Sequence, residues 1–149
     1  MAELIPWITD AIVEILEENA PLSEWATGGV HVRRAPPMPE GETDRRRDAY
    51  VVVSDVTESE PEHTQNDPAQ LTTDRITITV WASSSRQACH GSALVRRALD
   101  GMQATAAGIF VQRIFWRGTT TREAEDASAA EQLIDAADME FDVGYTLPD

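Results

Sequence analysis

Residues Thr72 to Gly101 read TTDRITITVWASSSRQACHGSALVRRALDG, a strand, a serine turn and a helix in succession. Ile76, Ile78 and Val80 alternate with Thr77, Thr79 and Trp81, which is the two-residue period of a pleated strand with one apolar face. Ser83, Ser84 and Ser85 then offer N-cap oxygens to the backbone that follows. Ala88, Gly91, Leu94, Val95, Ala98, Leu99 and Met102 recur at steps of three and four, with Arg86, His90, Arg97 and Asp100 on the opposite side. Gly101 stands where a left-handed C-terminal cap belongs. The stretch is therefore a β-α unit whose helix lies on a sheet, and the other segments are placed against it.

Upstream, Pro6 to Glu18 reads as a helix: Ile8, Ala11, Ile12, Ile15 and Leu16 form a stripe opposite Asp10, Glu14 and Glu17, and Pro21 is expected to end it. Val30 and Val32 mark a short strand suited to a sheet edge. Arg34 to Asp48, with its prolines and the run Arg45, Arg46, Arg47, reads as a loop. Ala49 to Val56 is a β-branched strand, and Thr57 to Gln70 a polar loop.

Downstream, Ile109 to Arg117 is a strand and Gly118 to Glu131 a second polar loop. From Ala136 to Leu147, Ala137, Met139, Phe141, Val143 and Tyr145 face one way and Asp138, Glu140 and Asp142 the other, the strict alternation of an antiparallel strand with one solvated face. These elements predict an α+β fold, an antiparallel or mixed sheet of about five strands with two helices packed on one face. A length of 149 residues and a hydrophobic fraction of 42% fit one folded domain over residues 1–149.

Charge and composition exclude several function classes. Twenty-six acidic residues face twelve basic ones, all arginine, for a net charge of −14. Such a chain repels nucleic acid rather than seeking it. The absence of lysine removes Schiff-base chemistry, the phosphate-binding loop and a restriction-type nuclease site. A GC-rich genome and a cytosol of molar salt both favour acidic, arginine-only chains; the surplus of carboxylates favours salt. Cys89 alone cannot build a disulfide framework, and its expected state is a small, half-buried side chain. No apolar run reaches membrane-spanning length and the N-terminus lacks a signal-peptide pattern, so synthesis and folding are expected in the cytoplasm.

The search for chemistry yields no catalytic residues and no cofactor. His31, His63, His90 and Cys89 lack zinc-ligand spacing. Ser83 to Ser85 lack the glycine frame of a nucleophile elbow, and capping accounts for them. Asp138, Glu140 and Asp142 share one strand face at about 7 Å intervals, close enough to hold a hard cation, although a plain solvated strand face is the favoured explanation. Arg45, Arg46 and Arg47 are either a solvated loop or a docking element for an acidic partner.

The order of these features resembles the tail-completion, or tail-terminator, family of tailed, siphovirus-like viruses. The resemblance rests on the aromatic and valine-rich strand closing on Ser-Asp (Tyr50 to Asp55) and the strand ending Val80-Trp81-Ala82. It continues through the helix closing Val-Arg-x-Ala-Leu-Asp-Gly (Val95 to Gly101) and the final aromatic strand Phe141 to Tyr145. It implies a non-enzymatic virion protein at the head-tail junction, forming a homo-oligomeric, hexameric ring on the head-proximal end of the tail tube. Its partners would be the tail tube protein and a neck adaptor or head-closure protein, with viral DNA passing through the ring and no membrane contact. Asp138, Glu140 and Asp142 would then be candidates for a negative channel wall, and the acidity would point to a virus of a halophilic, haloarchaeal host. The rival readings are a neck adaptor or head-closure ring, a small metal-dependent enzyme using the acidic strand, and a host binding module.

Overall fold

The computed structural model describes residues 7–33, 49–62, 71–123 and 135–146. In chain order the elements are α1 (Ile8–Glu18), α2 (Ala20–Trp25), β1 (Val30–Val32), β2 (Tyr50–Glu62), β3 (Leu71–Ala82), α3 (Ser85–Leu99), β4 (Ala104–Ala106), β5 (Ile109–Glu123) and β6 (Asp135–Thr146). The strands form one sheet of order β1-β2-β3-β6-β5-β4. β1 pairs with β2 in parallel and every other pair is antiparallel, so the sheet is mixed and the fold α+β, as expected.

The core lies between the helices and one face of this sheet. Ile76, Ile78 and Val80 of β3, and Met139, Phe141 and Val143 of β6, are buried against Ile12 and Leu16 of α1 and Val95 and Leu99 of α3. Each such side chain contributes about 1.5–3 kcal/mol by leaving water. α1 touches β1 and β2 at one edge of the sheet and β4 at the other. A flat sheet of this width would measure about 24 Å across its strands, far beyond one helix. The sheet therefore curls until α1 spans its opening.

The helix read from Thr72–Gly101 is found nearly where expected. The Ser84 hydroxyl accepts from the Gln87 N–H at 3.2 Å as N-cap, and Gly101, next after the C-cap residue Asp100, has φ of +79°. α3 and then β4 carry the chain from β3 to β5, two parallel strands with β6 running antiparallel between them. Gly91 permits the close seating of α3: a methyl there would lie 2.7 Å from a Val80 methyl and overlap the Trp25 ring.

Four expectations change. Pro21 does not simply stop α1; it opens a further helix, α2, whose Leu22 N–H is capped by the Asn19 side chain at 3.1 Å. Proline is tolerated there because a first-turn N–H has no intrahelical partner. A sixth strand, β4, joins β5 through Ala107 and Gly108, both at positive φ (+49° and +78°), as a two-residue hairpin turn requires. The stretch expected as loop from Thr57 is strand through Glu62, and the one expected from Gly118 is strand through Glu123. Ladder pairing is backbone chemistry, so it continues into segments whose composition carries no strand signal. Cys89, finally, is exposed on α3 rather than half-buried.

Candidate assembly surfaces

One face of the sheet carries the helices, and the sequence-predicted acids lie on the other. Asp138, Glu140 and Asp142 of β6 stand opposite Thr79, Thr77 and Arg75 of β3. The Thr79 hydroxyl donates to Asp138 at 2.7 Å. Asp142 receives the Arg75 guanidinium at 3.1 Å on one oxygen and that of Arg117 at 2.9 Å on the other. Two arginines thus offset one carboxylate, and the three strands β3, β6 and β5 are braced across their outer face. Glu140 is exposed. This arrangement directs Asp138 and Asp142 into cross-strand bonds rather than toward a shared cation. Among the described residues no three His, Cys, Asp or Glu side chains are grouped to hold a metal ion. Arg45, Arg46 and Arg47 lie outside the described residues.

The same face holds a feature that sequence reading passed over. Phe110 is 47% exposed and Phe115 54% exposed. Five residues apart, they would point to opposite faces of a regular strand. A register shift between Val111 and Arg113 resets the alternation, so both turn outward while Ile109, Val111 and Ile114 stay buried. Arg113 lies 5.8 Å from the Phe115 ring centre and crosses Gly144 of β6. The doubled pattern Ile-Phe-Val-Gln-Arg-Ile-Phe was the available signal, since its apolar pairs fit no single period. At the opposite end of the face Tyr50 stacks on Trp81 with centroids 6.2 Å apart, and His31 meets Tyr50 edge-on. The His31 ring bonds to the Gly28 carbonyl at 2.6 Å, which ties the ring to the start of β1.

The helical face has its own geometry. Val95, Ala98 and Leu99 are buried, whereas Arg96 lies 3.8 Å above the Trp116 ring. Asp100 accepts the Trp116 backbone N–H at 3.1 Å, and the Gly101 N–H donates to the Ile114 carbonyl at 2.9 Å. Because β4 covers β5 only as far as Val111, these bonds satisfy the edge of β5 just beyond it. The segment Val95–Gly101 is thus a clasp between helix and strand, which gives its residue types a structural reason. Near the other end of α3, Trp25 donates to Gln87 at 3.0 Å and meets His90 edge-on. With Arg86 these side chains line an open hollow of about 530 Å³.

No family model matches the chain, and no curated protein matches it significantly. A solved structure, the virion of a native gene transfer agent (GTA) particle, contains a chain of similar fold. The superposition has a TM-score of 0.67 at 16% identity and covers 94% of this chain and 95% of that one. At that identity the likeness establishes a shared fold over nearly the whole of both chains.

Proposed function

We propose that this protein is a structural virion subunit that forms a ring on the head-proximal end of a tail tube, ends tube polymerisation and joins the tail to the head or neck. The observation that carries the virion reading is the end-to-end fold likeness to a virion chain, which leaves no large unmatched part in either protein. The narrower choice of a tail terminator is supported by the ordered resemblance from Tyr50 to Tyr145, above all the Val95–Gly101 segment. Its partners are further copies of itself, hexameric on this reading, the tube protein and a neck protein. Glu140 is the exposed acid of β6 available to a DNA-facing wall, and Arg45, Arg46 and Arg47 are the docking element for an acidic partner.

Tail length in particles assembled without this protein tests the reading by electron microscopy. Tails that overgrow and never join heads are the expected result. Tails of normal length beside unattached, filled heads would make the protein a neck adaptor or head-closure ring instead. Normal, joined particles would sink the structural reading altogether.

A further inference from the structure

The helices that cover the sheet carry opposite charge. α1 and α2 hold Asp10, Glu14, Glu17, Glu18 and Glu24 and no basic residue. α3 holds Arg86, His90, Arg96 and Arg97 and no acid over its 15 residues, in a chain of net charge −14. Helical period gathers these groups into ridges. Asp10, Glu14 and Glu17 recur at steps of four and three, opposite buried Ile8, Ile12 and Leu16. Arg86, His90, Ala93 and Arg97 recur at steps of four, three and four, and all are exposed.

Some of these groups are engaged within the chain: Glu14 accepts the Ala107 N–H, and Arg96 stacks on Trp116. Among the described residues Asp10, Glu17, Arg86 and Arg97 form no ion pair. α1 and α3 touch inside one molecule, yet their charged ridges do not meet there. A second copy brings them together.

We propose that the acidic ridge of α1 in one copy docks on the basic ridge of α3 in the next, with Asp10 and Glu17 facing Arg86 and Arg97. Small Cys89 and Ala93 beside the arginines leave room for a helix to approach. The two ridges are different surfaces of the same chain, so the contact is heterologous and repeats around a ring or along a filament. Closure into a ring rests on the terminator reading above; the pairing of the two ridges does not. The charges chiefly select partner and register.

Sedimentation velocity of the full chain tests this, at a salt concentration where each protein shows native circular dichroism. The proteins are wild type, R86E/R97E, D10R/E17R, and an equal mixture of the two variants. The wild type is expected to assemble, and each variant alone to associate about tenfold more weakly or worse. The mixture is expected to assemble again, because each variant supplies the sign that the other has lost. The milder pair R86Q/R97Q, which introduces no new charge, should also weaken assembly. Unchanged association of folded single-ridge variants, a mixture that fails to recover, or a wild type that stays monomeric up to about 1 mM would each overturn the proposal. The tail-length experiment is independent: a protein that assembles through these ridges but leaves tails unchanged keeps this inference and loses the terminator reading.

Discussion

Tyr145 and Asp74 show what one pair of residues adds to the core. The Tyr145 hydroxyl donates to an Asp74 oxygen at 2.6 Å, with both residues buried. Burial, then the hydrogen bond to Asp74 and its negative charge, push the phenol above its ordinary range. The folded chain therefore keeps a proton that the unfolded chain releases above about pH 10. Stability from this pair is fully present below that pH and declines above it. Tyr145→Phe should cost about 1–3 kcal/mol near pH 7, because buried Asp74 loses a donor, and should flatten the alkaline decline. Urea titrations at neutral pH and at about pH 10.5 compare the two; an equally steep decline in the variant would assign the alkaline loss to other groups. The alternation of β3 puts Asp74 on the apolar face, where an unaided carboxylate is costly. Only the register of β3 on β6, with Thr72 opposite Tyr145, reveals its partner.

At the scale of elements, α3 is the part most legible in sequence and the clasp at its end the part least so. The 3.6-residue period and the serine cap predict the helix almost to its ends, since both are local. That Asp100 satisfies the edge of β5 is a contact across 16 residues, set by where β4 stops. Asp100→Ala should lower stability by about 1–2 kcal/mol and speed hydrogen exchange at the Trp116 amide, whereas Asp100→Asn, which keeps an acceptor, should do much less. Equal exchange in all three proteins would mean that water serves the edge as well as Asp100 does. The bulge in β5 teaches a related lesson. Strand periodicity assumes an unbroken register, so the outward turn of both Phe110 and Phe115 is invisible until the pairing with β6 is seen.

For the whole molecule, the dominant quantity is the net charge of −14. Like charges on a compact body repel, and salt screens them over about 10 Å at 0.1 M but about 3 Å at 1 M. Thermal unfolding followed by circular dichroism should therefore move to higher temperature between about 0.1 M and about 2 M potassium chloride. A midpoint that falls over this range would remove salt adaptation as the reason for the acidity and leave codon bias.

The sequence alone determined the fold class, the main strands, α1 and α3, and the apolar face of each, because period and capping act over a few residues. It also excluded lysine-based chemistry by composition. The tertiary structure alone decided the strand order, the curl that lets α1 reach both edges, and the extension of both hairpins into polar segments. It also decided the fate of the acidic strand. Spacing placed Asp138, Glu140 and Asp142 on one face, but pairing β6 between β3 and β5 gave Asp142 its two arginines and Asp138 its threonine. Those partners lie on strands 25 to 67 residues away in sequence, and only the closing of the sheet, which no local pattern encodes, brings them within bonding distance.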